Sequence, residues 1–328
     1  MIISRTPLRM SFVGGGSDLP AFYKKHRGAV LSSAIDKYIY VNINKKFDNG
    51  IRVAYSKNEE VTSVDEIEHR LVQAAMRYLQ LDGGIEITTI ADIPSKGTGL
   101  GSSSSFTAGL LNVLNAYKGQ YISSEQLGKD SCKIEIELCG EPIGKQDQYA
   151  AAFGGFNFIE FNPDESVNVS PLICKPETIA EIEGNILLFY TGITRSASSL
   201  LKQQQNDISS DDKKFDALAR MVDLAYLMRD ELQANNTAAF GEILHENWML
   251  KKSITEGISS CVIDEWYNAA KNAGAVGGKI LGAGIGGFLM IYAPLEKHDQ
   301  IKYVLRELRH VSVGFEPLGS RIIFYHKF

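Results

Sequence analysis

The stretch Pro94-Ser95-Lys96-Gly97-Thr98-Gly99-Leu100-Gly101, followed by four serines from Ser102 to Ser105, decides the reading of this chain. Two segments of opposite periodicity flank it. Before it, residues 85–90 are rich in Ile and Thr and predict a β-strand. After it, Phe106, Leu110, Val113, Leu114 and Tyr117 recur at helical spacing. Glycines at 97, 99 and 101 remove side chains, so backbone N–H groups can approach an anion closely. A helix start adds unpaired N–H groups and the positive end of a macrodipole. In physical terms the stretch is a phosphate-binding loop. Its spacing is neither G-x-x-x-x-G-K-[ST] nor G-x-G-x-x-G.

Moving outward, two more glycine clusters stand out. One is Gly14-Gly15-Gly16, after a weakly alternating segment 2–13 and before Ser17 and Asp18. The other is Gly282-Ala283-Gly284-Ile285-Gly286-Gly287, just before an apolar strand 288–292. Glycine makes up 30 of 328 residues, about 9% against a typical value of roughly 7%. The windows 14–16, 97–101 and 282–287 hold ten of them. The last cluster reads either as a tight turn or as backbone lying close to a ligand or to the first glycine loop. The first reads either as a turn with a capping Asp18 or as a polar wall in which Arg9 and Asp18 face a hydroxylated ligand.

The rest of the chain alternates between the two periods without a steady βαβ rhythm, so the class is α+β. Strands are expected at 34–47, 184–192 and 321–326, and helices at 65–80, 123–138, 145–153, 196–206, 212–234, 237–252, 263–273 and 296–309. Ser123-Ser124-Glu125-Gln126 offers a capping box. The length exceeds what one hydrophobic core usually serves. We expect two units, 1–180 and 181–328.

Net charge is −5, which argues against binding nucleic acid through a basic surface. The cysteines Cys132, Cys139, Cys174 and Cys261 have no C-x-x-C spacing and read as reduced thiols. No apolar run approaches the ~20 residues of a membrane span. The first residues, MIISRTPLRMSF, lack signal-peptide architecture. The expectation is a cytoplasmic protein, monomer or homodimer, that works on a small molecule.

Two acidic residues complete the candidates. Glu135 reads either as a solvated helix residue or as a metal ligand. Asp147, in the first turn of a short helix, reads either as a complement to the helix dipole or as a proton acceptor.

Together these segments resemble the GHMP small-molecule kinases. The carrying motifs are Thr6-Pro7-Leu8-Arg9 with Gly14 to Asp18, then Pro94 to Ser104, then Leu281 to Phe288, in the family's order. The stretches Ile35-Asp36-Lys37-Tyr38, 140–151 and 190–197 are similar to the family's anomeric sugar kinases, with fucose-type kinases close by. The resemblance implies a two-domain fold: a ribosomal-protein-like α+β domain, then a ferredoxin-like α/β domain. It also implies ATP and Mg²⁺, and a sugar phosphate as the small-molecule acceptor. Residues Lys96, Gly97, Thr98, Gly99, Leu100, Gly101, Ser102, Ser103 and Ser104 match the loop around the ATP phosphates, although Lys96 has no role to carry over. Ser103 and Glu135 match the magnesium ligands, Asp147 the catalytic aspartate and Arg9 the arginine near the transferred phosphate. Gly16, Ser17, Asp18, Asp147 and Gly284 fall at the sugar side. Arg195, in a Gly-Ile-Thr-Arg-Ser loop, is assigned to the sugar's distal phosphate; it reads equally as a surface arginine. Galactokinases carry Glu-His where this chain has Gly15-Gly16, which argues against galactose. A non-catalytic nucleotide-binding regulator would be expected to lack Ser103, Glu135 or Asp147, and all three are present.

Overall fold

A computed structural model describes residues 1–94, 97–193, 197–284 and 286–326. The strands are β1 (Ile2–Val13), β2 (Gly28–Lys45), β3 (Ile51–Ala54), β4 (Asn58–Val61), β5 (Ile85–Ala91), β6 (Phe156–Phe161), β7 (Val167–Pro171), β8 (Ile186–Tyr190), β9 (Gly277–Ile280), β10 (Phe288–Tyr292), β11 (Arg309–Val311) and β12 (Arg321–Tyr325).

They form two sheets. The larger runs β12-β1-β2-β5-β3-β4, with β6 and β7 branching from β2. The branch follows from the length of β2. Its first residues, Gly28 to Ser33, pair with β6, while Ile39 to Lys45 pair with β5. On its other edge β2 pairs along most of its length with β1. Among the described residues, only β3 and β5 run parallel. The smaller sheet is an antiparallel β11-β8-β10-β9. The last strand, β12, returns to the large sheet and pairs with β1.

The helix Ser102–Tyr117 is buried over most of its surface. It lies so close to β1 that a Cβ on Gly109 would stand 2.7 Å from Thr6 Oγ1. Ser4 Oγ donates to the Gly109 carbonyl at 2.8 Å, and Ser105 Oγ to the Pro7 carbonyl at 2.8 Å. These bonds fix the helix start against the strand that carries Arg9.

The small sheet alternates with period two. Leu188, Phe288 and Met290 join the core shared with the large sheet. Leu187, Phe189, Leu289 and Ile291 face a second core with Ile263, Tyr267 and Ile301, under the helices Cys261–Asn272 and His298–Val304.

Most expected elements are present, some with other bounds. The helix expected at 123–138 begins as read, with Ser123 Oγ accepting from Gln126 N at 3.2 Å. It then loosens into a π-helical turn, Lys133–Leu138. The helix expected at 296–309 ends at Val304, and Arg309 to Val311 pair instead with β8, whose edge would otherwise be open. All four cysteines are unpaired. Among the described residues, no helix is long and apolar enough to cross a membrane.

The two later glycine loops interlock. A Cβ on Gly99 would stand 2.1 Å from the Leu281 carbonyl oxygen, and one on Gly287 2.3 Å from that of Thr98. Gly287 also has φ +85°, a region costly for any other residue. Gly287→Ala should therefore destabilise the fold by at least about 1–3 kcal/mol. The urea midpoint measures it; an unchanged midpoint would mean that the contact is loose.

Candidate active site

A cavity of about 520 Å³ opens between the two sheets. One wall is the loop 97–101 with Ser102, Ser103 and Ser104. Gly101 holds the cap position of the following helix at φ 75°, and no side chain caps the first turn. The N–H groups of that turn have no intrahelical acceptor and remain available to an anion. Thr98 Oγ1 and Ser102 Oγ brace the turn at 3.1 Å. Leu100 is buried outside the cavity; its carbonyl accepts from Arg9 N at 3.0 Å.

Arg9 lies directly beneath the loop. Its Nε and Nη2 donate to the two oxygens of Asp147, each at 2.7 Å, and Nη1 donates to the Gly99 carbonyl at 2.7 Å. The guanidinium is almost enclosed, while the Asp147 side chain keeps 25% exposure toward the cavity. A Cβ on Gly101 would come within 3.4 Å of Asp147 Oδ2, so the carboxylate sits against the end of the glycine loop.

Glu135 is fully buried behind the serines. Ser103 Oγ donates to its Oε1 at 2.6 Å; Ser104 Oγ and Gln148 Nε2 donate to Oε2 at 2.7 and 2.6 Å. Burial raises its pKa above the ordinary carboxylate range, these three bonds oppose the rise, and Asp147 adds to it. It occupies the π-helical turn, a distortion frequent at functional sites.

Asp18 is enclosed as well. Its Oδ1 accepts from Gly16 N and Gln146 Nε2, both at 3.0 Å, and its Oδ2 from Gln146 N at 3.2 Å. Gly144 must be a glycine here, because a Cβ would stand 1.9 Å from Asp18 Oδ2. Burial, then Asp147, raise the pKa of Asp18.

The sequence-expected residues do not all reach the cavity. Gly16, Asp18 and Asp147 line it. Ser17 does not: its hydroxyl donates to the Ala29 carbonyl at 3.1 Å and accepts from Ala29 N at 3.0 Å. Gly284 packs against Ile258, whose carbonyl oxygen would lie 2.6 Å from its Cβ, and Gly282 and Ala283 form that rim instead. The expected roles of Lys96 and Arg195 fall outside the described residues.

Two cations escaped the sequence reading. Lys251 Nζ donates to the Gly15 carbonyl at 3.0 Å and to Gln204 Oε1 at 3.2 Å. Lys279 Nζ donates to the carbonyls of Ser11 and Phe12 at 2.9 and 3.2 Å. A signal was present. Lys251 and Asn247 interrupt the apolar stripe of the helix Phe240–Ile254, and Lys279 lies in the wholly buried strand β9. A polar residue on a buried face needs a partner.

As a fit test for magnesium, the donors beside the loop are a carboxylate and hydroxyls, the oxygen set a hard cation takes. Among the described residues, no cluster of three or more His, Cys, Asp or Glu could hold a metal alone. Phosphate oxygens would have to complete the shell.

Comparison with known proteins gives a consistent picture. The family model "GHMP kinases N terminal domain" matches residues 69–155, and "GHMP kinases C terminal" matches residues 228–311. The chain is 31% identical over 327 residues to a D-glycero-alpha-D-manno-heptose 7-phosphate kinase of Campylobacter jejuni, covering 95% of each chain. It is 28% identical to a bifunctional fucokinase/GDP-fucose pyrophosphorylase of Arabidopsis thaliana, covering 92% of this chain and 31% of that protein. In structure it is similar to a D-glycero-D-manno-heptose 1-phosphate kinase of Bacteroides thetaiotaomicron, at TM-score 0.82 and 26% identity over the full length of both chains.

The two buried lysines predict a pH effect. Burial lowers Lys251 from 10.5 to about 8 and Lys279 to about 7, the latter with help from Lys251 and Arg9. From about pH 7 to about 10 the unfolded chain therefore holds more protons than the folded one, and stability rises with pH. Urea midpoints at pH 7 and pH 9 should show this rise in the ligand-free wild type. In the double variant Lys251→Met, Lys279→Met the rise should be largely gone.

Proposed function

The chain belongs to the GHMP kinase family, and on that premise we propose that it transfers the γ-phosphoryl group of ATP to the anomeric hydroxyl of D-glycero-D-manno-heptose 7-phosphate. The product is then the 1,7-bisphosphate. The observation that carries the reading is the Asp147 carboxylate, held at both oxygens by Arg9 beside the last glycine of the loop. Phosphoryl transfer asks for alignment and charge neutralisation more than for covalent chemistry. The glycine loop, Ser103, Glu135, Arg9 and Asp147 each supply one of the two.

The backbone of 97–101 and the first turn after it take the ATP phosphates. Ser103 and Glu135 hold Mg²⁺, which when bound offsets charge on those phosphates. Asp147 faces the cavity and accepts the proton of the anomeric hydroxyl as that oxygen bonds to the γ-phosphorus and the bond to ADP breaks. Arg9 orients Asp147 and, through its remaining charge, offsets charge on the transferring group. Asp18, at the Gly16 end, receives sugar hydroxyls. The units 1–180 and 181–328 would work as the two sides of this cleft, in the cytoplasm and as a monomer or homodimer.

The names of the relatives differ in where the heptose already carries phosphate. We take the 7-phosphate because the relative so named shares the higher identity over nearly the whole chain. A fucose-type 1-kinase would use the same chemistry on an unphosphorylated sugar.

ADP release with a panel of heptose 7-phosphate, heptose 1-phosphate, heptose, fucose and mevalonate tests this directly. Heptose 7-phosphate should be the best substrate, and a clear preference for fucose would overturn the reading. Asp147→Asn should keep ATP binding and lose roughly 10²- to 10⁴-fold in turnover. Full turnover in that variant would remove Asp147 from the transfer step.

A further inference from the structure

The cavity holds more positive charge than phosphoryl transfer at Asp147 uses. Lys251 and Lys279 line it, both about 95% buried. Among the described residues neither forms an ion pair with a carboxylate, and each donates only to neutral oxygens. Each ammonium has three N–H donors, and two contacts are present at each. Beside them lie two more groups with nothing to bond: the Ser11 hydroxyl and the Gln204 amide nitrogen are both buried without a partner. Gly16 makes room for two of these groups, since a Cβ there would stand 2.5 Å from Gln204 Nε2 and 3.1 Å from Lys251 Nζ; a Cβ on the adjacent Gly15 would stand 3.7 Å from Ser11 Oγ.

A buried ammonium not bonded to a carboxylate is costly; Asp18 offsets part of that cost at Lys251, while Lys251 and Arg9 add to it at Lys279. The depressed proton affinities of both lysines register that cost. A cluster of two ammoniums, an amide N–H₂ and a hydroxyl can donate to every oxygen of a phosphate monoester. It is set apart from the serine end of the loop: Lys251 and Gln204 meet Gly15 and Gly16, on the Asp18 side.

We infer that Lys251 and Lys279, with Gln204 and Ser11, form a second phosphate site that holds the phosphate the acceptor sugar already carries. This rests on the reading of the chain as a kinase of a sugar phosphate, and it adds the residues that make the phosphate a requirement. The assignment moves the distal phosphate from Arg195 to the buried lysines.

The test compares heptose 7-phosphate with unphosphorylated heptose in the wild type, Lys251→Met and Lys279→Met. The quantity read is the ratio of the two kcat/KM values, or of inhibition constants where turnover of free heptose is too slow to follow. Each variant should lower that ratio about ten- to hundredfold. The KM for heptose 7-phosphate should rise far more than that for ATP. Lys251→Arg should recover part of the loss, which a general packing defect would not allow. Inorganic phosphate, titrated into enzyme loaded with Mg²⁺ and a non-hydrolysable ATP analogue, should bind the wild type and bind the Met variants at least tenfold more weakly. Equal losses on both sugars, or a loss confined to the ATP KM, would overturn the assignment. A wild type that uses neither heptose compound, yet binds inorganic phosphate through these lysines, would sink the substrate reading and leave the phosphate site standing.

Discussion

Peptide meets peptide where residues 97–99 pass Leu281, Gly282 and Gly287, and the rest of the cavity depends on that contact. No side chain fits between Gly99 and the Leu281 carbonyl, or between Gly287 and the Thr98 carbonyl. The contact places the end of the small sheet against the phosphate loop of the large one. Arg9 holds the same loop from the other side, by its backbone at Leu100 and its guanidinium at Gly99. A loop of glycines has little conformational preference of its own. Its geometry is imposed by the strands that grip it, and this leaves its N–H groups free for a ligand.

The charges follow a similar logic. Arg9, Lys251 and Lys279 stand against Asp18, Glu135 and Asp147, so the formal charges balance. They are not matched one to one. Only Arg9 and Asp147 form an ion pair. Asp18 is satisfied by N–H groups of Gly16 and Gln146, and Glu135 by two serines and a glutamine. The lysines bond to carbonyl oxygens. Asp18 and Glu135 spend their hydrogen bonds on neutral donors; Asp18 favours the Lys251 charge without bonding to it, and each lysine keeps an N–H for an anion. Such a site is less stable than an apolar core of equal size. Its existence is accounted for by a ligand that brings negative charge.

Much of this was legible where the signal is local. The glycine-serine stretch, the Ser123 cap and strand β10 each carry their evidence within a few residues. Short edge strands were less legible: β11 has three residues, and its pairing with β8 is set by a neighbour more than a hundred positions away. The π-helical turn of 133–138 likewise has no period that sequence could display. The lysines are the instructive case. Phe240, Leu244, Asn247, Lys251 and Ile254 trace one buried face of a helix. The sequence predicts a helix over 237–252 from its period, and that period does not show what the polar members of its buried face hold. Asn247 accepts from Gly14 N at 3.1 Å and Lys251 donates to the Gly15 carbonyl, so the polar members hold the first glycine loop.

The helix Gln146–Phe153 shows why these parts form one site. Its first three residues bond to three different partners: Gln146 to Asp18, Asp147 to Arg9, and Gln148 to Glu135. Successive residues of a helix point about 100° apart, since 3.6 residues complete a turn. One turn can therefore face the sugar side, the transfer point and the metal side at once. Its approach is fixed by Gly144, which fits under Asp18 only without a side chain, and by Glu141, whose N–H bonds to the Glu135 carbonyl at 3.0 Å. Sliding this turn by one residue would rotate all three contacts out of place together. The glycine break between Glu135 and Asp147 is thus a geometric requirement. It lets the chain leave one helix and re-enter another with three consecutive side chains already aimed.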